Sequence, residues 1–379
     1  MNNYYFTSEH QLFRKSLRDF LNREIVPHID QWEEEGEIPK SAFKKLGDMG
    51  YYGLGFEESY GGMSTDIFYT MILVEELNKC NSAGTAASLL SHSTLALEHL
   101  SKNGSEFLKK NYLKPGISAD LIGCLAISEP QAGSDVSNIQ TKAEDNGDHY
   151  MINGSKTFIT NGIKSDFYVA AVRTGENGYD GISMMVIDRS NIGINTSALK
   201  KLGWHASETA EISFDNVRVP KENLIGEINK GFYYIMEKFE LERLILSTGA
   251  LASAEYALEY GLQYLSERKA FNRSLNTFQE LRHRVAQLSA ELACLKAFNY
   301  QICDALQRKE NVTKECAMSK LLCTEFMDKL SYQVLQFLGG YGYMEEYKAA
   351  RIFRDSRIGT IGGGTSEIMR EIIAKSIIG

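Results

Sequence analysis

The chain has 379 residues, enough for two or three domains with sizeable cores. Only 5 prolines, an ordinary charged fraction of 24% and a net charge of −8 describe a globular protein and argue against a nucleic-acid partner. No apolar run reaches the length of a membrane span. The start Met1-Asn2-Asn3-Tyr4-Tyr5-Phe6-Thr7 lacks a basic-then-apolar signal, so a cytoplasmic location is expected, although a trimmed organelle precursor would begin the same way.

In chain order, positions 8–119 carry apolar residues at helical spacing. Leu12, Phe13, Ser16, Leu17, Phe20 and Leu21 predict one stripe of a first helix, with Pro27 near its end. Positions 71–77 and 86–90 predict further helices. Near Leu121 the texture changes. Asn153-Gly154 between two β-prone runs predicts a hairpin, and positions 167–172, 182–187 and 211–219 are β-rich. A small antiparallel barrel or sandwich ending near Pro220 follows.

The helical period returns at Lys230. Phe232, Ile235, Met236, Phe239, Leu244 and Leu246 open a helix that runs to about Arg268, and positions 281–308, 314–338 and 366–378 supply three more. The expected fold is mostly α with a central β domain. Its divisions are an N-terminal helical domain at 1–120, a middle β domain at 121–228 and a C-terminal four-helix bundle at 229–379.

The six cysteines never form a Cys-x-x-Cys pair, and most fall in helical apolar patterns, which predicts reduced core thiols. His92 and His99 lie a near-helical distance apart, about two turns, but no carboxylate pattern accompanies them, so no metal site is expected. No Ser-His nucleophile arrangement is visible.

Several segments carry chemistry. The first contains Leu125, Ile127, Ser128, Gly133 and Ser134, in a strand that runs into a Gly-Ser loop. The second, Phe158-Ile159-Thr160, ends a β-prone run. Arg268, Phe271, Phe278 and Gln279 form a basic, aromatic helix connection, and Gln336-Phe337-Leu338-Gly339-Gly340 is a glycine turn that follows no strand, unlike a Rossmann loop. Last comes Ile361-Gly362-Gly363-Gly364-Thr365-Ser366-Glu367, a glycine run that opens a helix whose free N–H groups favour negative charge.

In this order the segments resemble the acyl-CoA dehydrogenase family across nearly the whole chain. The resemblance implies FAD as cofactor. It assigns Leu125, Ile127, Ser128, Gly133, Ser134, Phe158, Ile159, Thr160, Thr365 and Glu367 to the flavin, with Ser128 at the pyrimidine edge and Phe158 stacked on the ring. It assigns Arg268, Phe271, Phe278, Gln279, Gln336, Phe337, Gly339 and Gly340 to the adenosine diphosphate of a neighbouring subunit's flavin, where an arginine suits a pyrophosphate. Substrate contacts fall to Ser134, Tyr233, Arg243, Gly362 and Gly363.

Many members have a glutamate base at the position of Gly363. Isovaleryl-CoA and long-chain acyl-CoA dehydrogenases have a small residue there, and their base stands where Glu242 stands in this chain. Flanked by Leu241, Leu244 and Ile245, Glu242 is expected to be partly desolvated and hence more basic, whereas Glu237 and Glu240 are expected to lie on a solvated face.

The implied activity is α,β-dehydrogenation of an acyl-CoA, with electron-transferring flavoprotein as electron acceptor and a homo-oligomer, a tetramer by family habit. Three alternatives share the fold: a dehydrogenase of a carrier-protein-tethered acyl group, a flavin oxidase or monooxygenase, and a non-catalytic flavin scaffold. The last would require Glu242 to face solvent.

Overall fold

The computed structural model describes residues 4–379; Met1-Asn2-Asn3, the start of the segment read for a leader, lie outside the described residues. The first helix, α1 (Ser8–Glu24), is opened by Thr7, whose side chain accepts from the His10 N–H while the Thr7 N–H donates to His10 Nδ1. Its buried face is Leu17, Phe20 and Leu21 with Phe13 beside them. Leu12, expected in that stripe, is 69% exposed, and Ser16 is also exposed. Spacing alone did not fix where the stripe is centred, because Leu12 sits one residue around the helix from Phe13.

Helix α2 (Ile67–Asn78) is mostly buried and lies in the core, against α1 and the long bundle helix. Its buried Glu75 and Glu76 are met by Arg14 and Arg18 of α1, and Glu75 also accepts from the Tyr300 hydroxyl. Helix α3 (Ala83–Ser91) continues directly into a wider turn at His92–Leu97.

An eight-stranded sheet follows, made of β1 (Gly123–Ala126), β2 (Lys142–Asp145), β3 (His149–Thr160), β4 (Phe167–Arg173), β5 (Ile182–Asp188), β6 (Ile194–Ala198), β7 (Thr209–Pro220) and β8 (Leu224–Ile225). It is antiparallel except that β1 runs parallel to β4 and β2 meets β4 in parallel at one position. Strand β4 is buried throughout. Phe167, Val169 and Ala171 pack with the helices, while Tyr168, Ala170 and Val172 face Ile152, Ile212 and Phe214 inside the folded sheet.

The expected hairpin at Asn153-Gly154 is not there. Both residues lie inside β3, at a bulge where Ile152 pairs with Val217 and Gly154 with Phe214. Gly154 has φ +147°, and a Cβ on it would stand 2.6 Å from Thr141 Cα, so the glycine serves close approach rather than a turn. The turn belongs to the preceding Asn146-Gly147, where Gly147 has φ +86° and the Asn146 N–H reaches the His149 carbonyl.

The C-terminal part contains α4 (Gly231–Glu267), α5 (Gln279–Gln307), α6 (Thr313–Leu338), α7 (Lys348–Ser356) and α8 (Ser366–Ile378). Helices α4 and α6 share one buried seam that includes Leu251, Leu258, Met327 and Val334. Five of the six cysteines are buried, and only Cys294 is exposed. His92 is a satisfied core histidine that accepts from the Gly123 N–H and bonds the Gly116 carbonyl. Among the described residues no cluster of ligand-type side chains could hold a metal ion, and no helix is long and apolar enough to cross a membrane.

Candidate active site

Glu242 projects from the start of the fourth turn of α4 toward the glycine run that precedes α8. A Cβ placed on Gly363 would stand 3.5 Å from Glu242 Oε1 and only 2.2 Å from Leu246 Cδ1. Gly363 has φ +62° and Gly364 φ +94°, conformations open to glycine at little strain. Among the described residues the Gly363 N–H has no acceptor, whereas the Gly362 N–H donates to the Ile358 carbonyl.

The Glu242 side chain keeps some solvent contact, yet protein packs closely around its carboxyl group. Burial, opposed by the charges of Arg243 and Lys320, pushes its pKa up to about 7. A carboxylate poised near neutrality is well matched to removing a proton from a weak carbon acid. Glu237, by contrast, pairs with Lys102 at the surface, and Glu240 accepts from the Thr313 hydroxyl.

Arg243 is buried at 6% exposure, its guanidinium lies over the Phe239 ring at 5.5 Å, and among the described residues its Nε has no partner. Burial lowers its pKa. A buried arginine of this kind suits ordering of the pocket. Tyr233 is 45% exposed and donates to Asp180, at the rim of this region rather than against Glu242. A cleft of about 710 Å³ opens along the same helix but is lined by Glu237, Lys238, Glu240 and Leu241; Glu242 does not line it.

The flavin-facing segments are built by the sheet. Phe158 stands at the end of β3 with φ +63° and a side chain 70% exposed. An aromatic ring held out from a strained backbone position is a ready stacking platform. The Thr157 N–H donates to the Ser128 carbonyl, which fixes the exits of β1 and β3 side by side.

Beneath them lies a pair that sequence reading did not single out. Lys156 and Glu129 are 0% and 1% exposed and meet at 2.7 Å. Lys156 also donates to the Ile127 carbonyl, and Glu129 accepts from the Gln140 and Thr141 N–H groups. Burial lowers the Lys156 pKa to about 8 against the opposing pull of Glu129. Ser134 is exposed, and a Cβ on Gly133 would meet nothing within 4 Å, so this loop is open to a ligand. Ile127 and Ile159 point into the core at 7% and 2% exposure, so only their backbones can serve a cofactor.

The nucleotide-end residues form a separate patch. Arg273 stacks over Phe278 at 3.9 Å, Arg268 lies over Tyr341 at 5.5 Å, and Phe271 is 90% exposed at a tight turn. Gln279 and Gln336 are exposed, Gly339 and Gly340 face open space, and Phe337 is buried in the bundle core, so its ring is not a cofactor contact. This patch lies at the far end of α4. The 26 residues from Glu242 to Arg268 span ~39 Å along that helix at about 1.5 Å each. Glu242 and this patch are therefore not brought together within one chain.

Thr365 is spent as the N-cap of α8, accepting from the Ile368 N–H, and Glu367 is exposed beside Arg370. An exposed aromatic platform, an open glycine loop and an arginine-aromatic patch fit a flavin dinucleotide in their donor chemistry.

Three family models cover the chain: the acyl-CoA dehydrogenase N-terminal domain at residues 7–120, the middle domain at 124–217 and the C-terminal domain at 229–378. The long-chain specific acyl-CoA dehydrogenase of Sus scrofa mitochondria is 35% identical over 98% of this chain and 87% of its own length. The caffeyl-CoA reductase–Etf complex subunit CarC of Acetobacterium woodii is 33% identical over 99% of both chains. A crystal structure of an acyl-CoA dehydrogenase from Geobacillus kaustophilus superposes with a TM-score of 0.95, at 37% identity over 99% of both chains. The chain belongs to the acyl-CoA dehydrogenase family. It is accordingly an oxidoreductase of a flavoprotein family that acts on acyl-CoA thioesters.

Proposed function

We propose that Glu242 is the base that removes the α proton of an acyl-CoA thioester, and that the product is the trans-2-enoyl-CoA. The observation that carries this is the placement of Glu242 Oε1 against the vacant side-chain direction of Gly363. The free Gly363 N–H donates to the thioester oxygen and so acidifies the α carbon. Glu242 takes the proton that this acidification loosens, and Leu246 and Phe239 keep water from its surroundings. FAD, when bound, supplies the acceptor for the hydride that leaves the β carbon.

Phe158 stacks on that cofactor, and Ser128 and Thr160 flank it, with Leu125 and Gly133 along the same wall. Arg268, Phe271, Phe278 and Gln279 of a second copy hold its nucleotide end, so the working form is a homo-oligomer, a tetramer by the family's habit. Electron-transferring flavoprotein is the acceptor we propose, supported by the relative whose name joins it to an Etf complex. A cytoplasmic location and the three divisions at 1–120, 121–228 and 229–379 complete the proposal.

The test is anaerobic mixing of the holoenzyme with acyl-CoAs of varied length and branching. Flavin bleaching and enoyl product are expected, and both should vanish in Glu242→Gln. Rapid oxygen-dependent release of peroxide would support an oxidase instead. Turnover only with thioesters on a carrier protein would support the carrier-tethered alternative.

A further inference from the structure

Lys320 is among the largest side chains in the protein with no solvent exposure. It sits on α6 in the middle of the buried stripe formed by Cys316, Ala317, Cys323 and Thr324. A lysine there is expensive: its ammonium has lost water, and among the described residues it makes one hydrogen bond and no close ion pair. A methionine would fill the same space with no such penalty.

The one hydrogen bond runs to the Gly364 carbonyl, in the glycine run that faces Glu242. One turn along α6, a Cβ on Gly359 would stand 3.3 Å from the Thr324 side chain, and Thr324 in turn donates to the Lys320 carbonyl. The helix therefore grips the loop at both ends, by contact at Gly359 and by an ammonium at Gly364. Between the grips lie Gly362 and Gly363, the positions with the least intrinsic preference for one backbone conformation.

We propose that Lys320 is a positioning residue, whose buried ammonium holds the Gly364 carbonyl so that the Gly363 N–H meets the thioester oxygen while the Glu242 carboxylate meets the α carbon. The inference rests on the reading of Glu242 as the base. Its charge has a second effect. Lys320 and Arg243 are the two cations that favour the ionised form of Glu242 against burial. Lys320 itself is faced by Glu242 and Arg243 from α4, Glu325 on its own helix and Glu367 from α8, and burial brings its pKa down to about 8. Removing the ammonium leaves Arg243 alone to oppose the desolvation of Glu242, so the base should hold its proton to higher pH.

The experiment compares wild type, Lys320→Met, Lys320→Gln and Glu242→Gln holoenzymes. Two quantities are read: the pH profile of anaerobic flavin reduction by an acyl-CoA, and hydrogen exchange of the 362–366 amides, the latter on the flavin-free chain as well. In Lys320→Met, reduction at neutral pH is expected to slow about 10- to 100-fold. Its acidic limb should move to higher pH, and the loop amides should exchange faster. Lys320→Gln, which keeps a donor but not the charge, should shift the limb with less effect on exchange.

A wild-type limb together with wild-type loop exchange in both variants would overturn the proposal. Slow reduction with neither change would mark general damage and overturn it equally. If Lys320→Met does not retain flavin, the Gln variant and the flavin-free exchange decide. Should Glu242→Gln reduce flavin normally, the base assignment fails, and loop exchange alone still tests the grip.

Discussion

A side chain at Gly363 would point at Glu242: its Cβ would lie 3.5 Å from Oε1 of that carboxylate, with Leu246 Cδ1 closer still at 2.2 Å. The two positions compete for one volume, so the protein has room for a carboxylate from the helix or from the loop, not both. Gly363→Glu in the natural background should therefore abolish flavin reduction, through the Leu246 clash, the strained φ and a second negative charge. Glu242→Gln should lose about 100-fold or more. The double variant Glu242→Gly with Gly363→Glu should recover part of that loss. Steady-state turnover of the three variants checks the ordering, and a double variant no better than Glu242→Gln alone counts against the shared volume.

The titration of Glu242 ties catalysis and stability to pH in opposite senses. Its pKa in the fold is raised to about 7 from 4.5, so the native state retains a proton that the unfolded chain has released over that interval. The stabilising contribution of the neutral form is complete below 4.5 and is lost as pH rises through 7, while base activity rises over the same interval. Glu242→Gln stays neutral, so its melting temperature should gain on wild type from pH 5 to pH 8. Asp355, raised to about 7 by burial, contributes with the same sign and cancels in that difference. Equal pH dependence of melting in both proteins would contradict the raised value.

Phe158 offers a case where binding and stability should part. Its ring is 70% exposed and its φ is +63°. Phe158→Gly relieves backbone strain of about 1 kcal/mol or more and removes almost no packing, so the flavin-free chain should melt higher. The same change removes the stacking surface and should weaken flavin binding about tenfold. Thermal melts without flavin and fluorescence titration with FAD read the two effects separately.

The Glu129–Lys156 pair predicts the reverse pattern, stability lost through a fully buried side chain. Both side chains are at most 1% exposed, so Lys156→Met strands Glu129 without a counter-charge and should lower stability by about 3–5 kcal/mol. Lys156→Met with Glu129→Gln should lose less than that single change. A double variant as unstable as the sum would show that the backbone bonds, not the charges, dominate.

The long helices and the proposed base were marked in the sequence for different reasons. Apolar residues at helical spacing marked α4, α5 and α6 to within two residues, because these helices bury one continuous seam. Glu242 stood out only through its register with the acyl-CoA dehydrogenase family and the small residue at Gly363, since Glu237 and Glu240 carry the same local chemistry. The Asn153-Gly154 pair misled because a glycine needed for close approach and a glycine needed for a turn look alike in one dimension. Lys156 and Lys320 were illegible for a related reason. A lysine among apolar neighbours reads as a helix or strand face turned to solvent, and the acceptors that allow each to be buried lie 27 and 44 residues away.

Helix α4 places Glu242 and Arg268 ~39 Å apart. On the proposed reading, a flavin beside Glu242 of one chain does not reach Arg268 of the same chain, and each site combines the base of one copy with the arginine-aromatic patch of another. Glu242→Gln and Arg268→Glu homo-oligomers should both be impaired, the first in proton removal and the second in flavin retention. When the two are unfolded together and refolded with FAD, mixed assemblies contain sites with Glu242 from one chain and Arg268 from the other. Activity should then exceed that of either variant refolded alone, by an amount that follows the mixing ratio. If co-refolded material merely averages the parents, the nucleotide end of the flavin is held within the chain that supplies the base, and the second copy has no part in the site.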